Sequence, residues 1–175
     1  MLIVTGPPGA GKTTVSSLLA ARFERSVVLR GDDFFHFIHR GYVAPWQPDS
    51  QHQNEVVIDA TAAAAAQYCA GGYVVVVDAI VGPWFLDRWC AQVPEAVAVH
   101  YVILQPNKEV AARRASGRRG RDDLVDPVPV ALMHDAFANR GGRHANVVDS
   151  SSHTPEETAS VVAAQADAGL LLLPR

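Results

Sequence analysis

Gly6-Pro7-Pro8-Gly9-Ala10-Gly11-Lys12-Thr13, followed by Thr14, is the stretch on which the reading of this chain turns. It meets the pattern G-x-x-x-x-G-K-[ST] at each fixed position. Glycine lets the backbone curl until successive N–H groups converge as an anion nest. A helix starting where the nest ends adds unpaired amides and the positive end of its dipole. Lys12 then brings a compact charge to the outer phosphates of a nucleotide, and the Thr13 hydroxyl is a ligand for Mg²⁺. The flanks agree, with Leu2-Ile3-Val4-Thr5 reading as a buried strand and Val15 to Phe23 as a helix. All nine residues from Gly6 to Thr14 are therefore expected to bind a nucleoside triphosphate together with Mg²⁺.

Composition bounds what surrounds that loop. The 175 residues read as a single domain, 1–175, large enough for a sizeable core. Hydrophobic residues make up 49% and charged residues 19%, which argues against disorder. A net charge of −3 gives no general electrostatic reason to bind nucleic acid or anionic membrane, so any basic site is local. Cys69 and Cys90 lack metal-ligand spacing and read as reduced thiols of a cytoplasmic protein. No apolar segment reaches membrane-spanning length. Only Lys12 and Lys108 are lysines among 15 basic residues, so a chain that prefers Arg keeps Lys where a point charge suits a phosphate.

Beyond the loop, strands and helices alternate. Val27 to Arg30 reads as a short strand ending in Gly31-Asp32-Asp33-Phe34-Phe35-His36, with a short helix beginning near Phe34. Gln51 to Ala70 reads as a long helix stopped by Gly71-Gly72. Tyr73 to Val77 is a continuous β-branched run, as a strand covered on both faces requires, and it ends in Asp78. A helix near Trp84 to Gln92, a strand over Val97 to Leu104 and a helix over Asn107 to Ser116 follow. Then come a helix over Pro127 to Ala138 and a last strand over Ala145 to Asp149. Thr154-Pro155-Glu156-Glu157 opens the final helix with Thr as N-cap and Glu closing the capping box. This alternation predicts right-handed crossovers and a five-stranded parallel sheet with helices on both faces, an α/β fold. Ligands of such sheets sit beyond the carboxyl ends of the strands. Gly6–Thr13, Asp32/Asp33 and Asp78 all fall at such ends.

Phosphoryl transfer needs a nucleotide cradle, a metal, stabilised charge and an oriented nucleophile. Asp32 or Asp33 is placed to take the proton of an acceptor hydroxyl, with an Asx-type helix cap as the structural role of the other. Asp78 suits the metal, alongside Thr13. Residues 113–121 carry five arginines among glycines, a composition that suits a lid of approximately 114–126 closing over phosphates, with Arg113 and Arg118 as its contacts. The alternative for these arginines is a solvated helix end. The segment 34–56 is the candidate acceptor site. It holds His36, His39, Arg40, Tyr42, Trp46, Gln47, His52 and Asn54, aromatic surface beside hydrogen-bonding groups. Trp84 and Phe85 add an apolar wall there or pack in the core.

These residues together resemble the small P-loop kinases that phosphorylate hydroxyl groups. That group takes in gluconate and shikimate kinases, chloramphenicol phosphotransferase, zeta toxins and phage polynucleotide kinase. The marks are Gly6–Thr14, the acidic end of the second strand, Val74–Asp78, Pro106 to Arg118, and Val147-Val148-Asp149 before Thr154-Pro155-Glu156-Glu157. Asp33-Phe34-Phe35-His36 is similar to the Asp-Phe-Leu-His stretch of gluconate kinases, although the usual following Pro is absent. The resemblance implies a three-layer P-loop NTPase fold with strand order 2-3-1-4-5 and an Arg-rich lid. It implies a catalytic base at Asp33, or at Asp32 in the polynucleotide kinase register, with Lys12 and Arg118 assisting catalysis. The expected activity is transfer of the γ-phosphate of ATP to a small-molecule hydroxyl. A polynucleotide end is the one nucleic-acid acceptor the resemblance allows. A regulatory ATP-binding or ATPase module without an acceptor is the alternative. A guanine-nucleotide switch is disfavoured, because Asn107-Lys108-Glu109-Val110 lacks the Asp that reads guanine.

Overall fold

The computed structural model describes residues 1–117, 126–138 and 146–174. The β-branched run of β3 (Val74–Asp78) lies beside β1 (Leu2–Thr5), and both are buried along almost their whole length. Around them β2 (Ser26–Arg30), β4 (His100–Leu104) and β5 (Val147–Val148) complete a parallel sheet in the order β2-β3-β1-β4-β5. This is the five-stranded 2-3-1-4-5 arrangement expected from the resemblance.

The strand period of two sends alternate side chains to opposite faces, which builds two cores. Ile3, Val75, Val77, Tyr101 and Ile103 pack under α3 (Gln51–Ala70) and α4 (Leu86–Gln92). There Ala62, Ala65 and the fully buried Trp89 fill the space, joined by Phe137 of α6 (Pro127–Ala138). Leu2, Val4, Val76, Val102 and Leu104 face α1 (Lys12–Ala20) and α7 (Pro155–Asp167), where Val15, Leu19, Val162 and Ala163 meet them. The alanine run of α3 thus lets a long helix lie close to the sheet. Gly71 and Gly72 end that helix as expected, Gly72 at a φ of 80°. The Thr154 hydroxyl accepts from the Glu157 amide at 3.2 Å, and the Glu157 carboxylate accepts from the Thr154 amide at 2.8 Å, closing the capping box.

Several boundaries differ from the sequence reading, each for a local reason. The first helix begins at Lys12 rather than Val15, because the phosphate loop runs straight into its first turn. β4 begins at His100 rather than Val97, since residues 94–97 form a turn in which the Val97 amide donates to the Pro94 carbonyl. The short helix after β2, α2 (Gly31–His36), starts ahead of Phe34 and contains both aspartates in its first turn. Neither is an Asx cap: the N-cap is Arg30, with no side-chain capping bond. A further strand-like segment had no expectation at all. Leu172 bridges His100 antiparallel, with the Tyr101 amide donating to the Leu171 carbonyl at 2.8 Å and the Leu173 amide to the Val99 carbonyl at 2.9 Å. The exposed edge of β4 is therefore covered by β5 at its carboxyl end and by the C-terminal segment at its start. Among the described residues no helix is long and apolar enough to cross a membrane.

Candidate active site

The phosphate loop leaves the carboxyl end of β1 and is shaped by two close approaches. Gly6 has a φ of 144°, and a Cβ there would stand 2.1 Å from the Leu104 carbonyl oxygen at the end of β4. Gly9 has a φ of 81°, and its Cβ would meet the Ala111 carbonyl oxygen at the same distance, on α5 (Lys108–Ser116). Only glycine fits either position, which fixes the loop between β4 and α5. Lys12 is 7% exposed and curls over the loop, donating from Nζ to the Gly6 carbonyl at 2.9 Å and the Pro7 carbonyl at 3.2 Å. Thr13 and Thr14 stand exposed in the first turn of α1.

Asp78 arrives on the same edge by register. It is opposite Val4 on one side and Arg30 on the other, and is 6% exposed. The chain beyond it is tied to the loop strand, since the Val81 amide donates to the Thr5 hydroxyl at 3.0 Å. These groups fit a nucleotide with Mg²⁺. The glycine cradle and lysine suit phosphate, and a threonine hydroxyl and a carboxylate are hard oxygen donors. Among the described residues no cluster of three His, Cys, Asp or Glu could hold a metal ion.

A cleft of about 900 Å³ joins the loop to the sheet edge. Pro8, Gly9, Gly11, Lys12, Thr13 and Thr14 line it, and so do Asp32 and Asp78. Of the two adjacent aspartates, Asp32 is exposed and in the cleft lining, whereas Asp33 is half-buried and outside that lining. The candidate acceptor segment divides similarly. His36, Tyr42, Trp46 and Asn54 line the cleft, together with Pro45 and Gln51, while His39, Arg40, Gln47 and His52 do not. Trp84 and Phe85 also line it. Arg113 is exposed and outside the lining; its neighbour Arg114 is in it, donating to the Ser150 carbonyl at 3.3 Å. Arg118 and residues 118–125 of the expected lid lie outside the described residues.

Some of the lining lies outside the residues singled out in the sequence. Arg30 lines the cleft from the last position of β2, where the strand-end rule applied to Asp32 would have found it. Thr61 and Ile58 enter it from α3, two turns beyond any recognisable motif. Gln53 holds the 34–56 segment from outside the lining. Its side-chain oxygen accepts from the Val43 amide at 2.8 Å, and its nitrogen donates to the Val43 carbonyl at 2.6 Å. Asn54 donates to the Pro45 carbonyl at 2.8 Å, and the buried Ser50 hydroxyl does the same. Across the loop, the Ser151 hydroxyl and amide hold the Asp149 carboxyl below its usual range, which fixes the turn after β5 beside Arg114.

Comparison with known proteins agrees with this architecture. The AAA domain model AAA_33 matches residues 1–140, the part of the chain that carries the loop, Asp32 and Asp78. No curated protein matches the chain. Among solved structures it is similar to a sugar kinase from Janibacter sp. HTCC2649, with 18% identity, a TM-score of 0.67, and 95% of this chain and 93% of that one covered. It is also similar to a gluconokinase from Sinorhizobium meliloti 1021, with 18% identity, a TM-score of 0.63, and 97% and 94% covered. A shikimate kinase from Acinetobacter baumannii in complex with shikimate aligns at 19% identity and a TM-score of 0.62, covering 96% and 92%. With its glycine-shaped loop on the 2-3-1-4-5 sheet, the chain belongs to the AAA domain family and has the fold of the small P-loop kinases.

Proposed function

We propose that this protein is an ATP-dependent phosphotransferase that moves the γ-phosphate of ATP to a hydroxyl of a small molecule in the cytoplasm. One observation carries the reading: Asp32, a carboxylate, shares a single cleft with the phosphate loop and with a separate wall of aromatic and polar side chains. Aromatic surface beside polar hydrogen-bonding groups is what an acceptor pocket requires. The kinase fold of the structural neighbours is consistent with it.

In this reading the loop amides and Lys12 hold the outer phosphates of the nucleotide. Thr13, with Asp78, holds Mg²⁺, which supplies charge neutralisation on the phosphates when bound. Asp32 accepts the proton of the acceptor hydroxyl and orients its oxygen. Arg114, held by the Ser150 carbonyl, brings a guanidinium to the same cleft, where charge accumulates during transfer.

The test is acceptor-dependent ADP release across sugars, nucleosides, polynucleotide ends and hydroxylated antibiotics. At least one acceptor is expected to stimulate turnover, and Lys12→Ala to abolish it through lost phosphate binding. Tight nucleotide binding with no stimulation by any panel member would sink the reading.

A further inference from the structure

The cleft says more about the acceptor than that it bears a hydroxyl. Three large aromatic side chains line it while remaining substantially exposed: Tyr42 at 46%, Trp46 at 42% and Trp84 at 48%. Such rings ordinarily bury 150–250 Å² in a core or an interface. Trp89, the third tryptophan, does so and is fully buried.

Nor is the backbone that carries two of these rings loose. Gln53 takes both backbone groups of Val43, while Asn54 and Ser50 both donate to the Pro45 carbonyl, so the stretch bearing Tyr42 and Trp46 is pinned to α3. Trp84 is fixed from below. A Cβ on Gly82 would stand 2.3 Å from its indole, which is therefore laid on the bare backbone there. The Phe137 ring is 5.4 Å from it, centroid to centroid. Phe35, Phe85, Ile58 and Met133 continue the apolar lining.

Two cations of the cleft already have backbone partners. Lys12 lies over the phosphate loop, and Arg114 is held at Ser150. Among the described residues Arg30 is the remaining cation of the lining. A polyhydroxy acid needs many hydrogen-bond donors and cations around its chain. A flat ring needs aromatic faces, and an anchored backbone beneath them lowers the ordering cost of binding.

We propose that the acceptor is an alcohol carried on a flat aromatic or heteroaromatic ring, held against the Tyr42–Trp46 and Trp84–Phe85 faces, rather than an acyclic polyol acid. This rests on the phosphotransferase reading for the role of the hydroxyl, but not for the binding of the ring.

The test is calorimetric titration of the protein saturated with a non-hydrolysable ATP analogue and Mg²⁺. Phenylethanediol and uridine are the ring-bearing probes, D-gluconate and glycerol the polyol probes. At least one ring-bearing alcohol is expected to bind at least tenfold more tightly than D-gluconate. Trp46→Ala and Trp84→Ala should each weaken that binding at least tenfold, and Trp46→Phe should restore most of it, with folding followed by thermal melting. D-gluconate binding within tenfold of the tighter ring-bearing probe would overturn the proposal. So would no binding of either ring-bearing probe, or unchanged affinity in Trp46→Ala. Acceptor-stimulated ADP release is scored separately: ring-dependent binding without phosphate transfer refutes the kinase reading and leaves the pocket assignment in place.

Discussion

Asp32→Asn and Asp33→Asn form a matched pair of perturbations. Both aspartates stand in the first turn of α2, so both lose the same favourable interaction with the helix N-terminus, about 0.3–1 kcal/mol. Asn is nearly isosteric with Asp, and neither carboxylate is in a described ion pair, so folding should change by no more than that. The cleft separates them. Asp32 is exposed in its lining, where an acceptor hydroxyl can reach it, and Asp33 is not. Loss of a positioned proton acceptor costs about 10²–10⁴ in rate, or about 2.7–5.5 kcal/mol of transition-state stabilisation. The expected result is a kcat lowered 10²–10⁴-fold in Asp32→Asn, with nucleotide affinity within about threefold of the parent. Asp33→Asn should keep most of its turnover, a loss below about tenfold. The assay is coupled ADP release at saturating acceptor, with nucleotide affinity from displacement of a fluorescent ATP analogue and melting curves for both variants. Equal rate losses in the two variants, or a large loss in Asp33→Asn alone, would refute the assignment of the base to Asp32.

Three other outcomes follow from the geometry. Gly9→Ala forces a Cβ to within 2.1 Å of the Ala111 carbonyl at a φ of 81°, so nucleotide binding should fall below detection in the same displacement assay while the far-UV circular dichroism is retained. Leu171→Ala empties a fully buried position in the segment that covers β4, and urea unfolding should show a loss of about 2–5 kcal/mol. Thr154→Ala breaks the capping box of α7 and should cost about 1 kcal/mol in the same measurement, with activity at saturating substrates unchanged.

Much of the fold was legible because its signals are local. The β-branched run of β3, the glycines after α3 and the Thr154–Glu157 cap each act within a few residues, where sequence spacing and spatial spacing are the same thing. The C-terminal cover on β4 was not legible. Leu170 to Leu173 carry no strand period of their own, and their pairing depends on where β4 leaves an open edge.

The same division runs through the site. By itself the sequence determined the phosphate cradle, because Gly6, Gly9, Gly11, Lys12 and Thr13 fall within eight consecutive residues, where local backbone geometry sets their arrangement. It also brought Asp32, Asp33 and Asp78 to one edge, since strand ends in a parallel sheet share an edge. Only the tertiary structure decided which of two adjacent carboxylates enters the cleft, because neighbouring residues on a helix turn point about 100° apart and the sequence gives no origin for that angle. It alone brought Tyr42, Trp46 and Trp84 to one cleft from segments some 40 residues apart, through hydrogen bonds from α3 and a bare glycine under the Trp84 ring. Such contacts link side chains across the fold and leave no period in the chain that makes them.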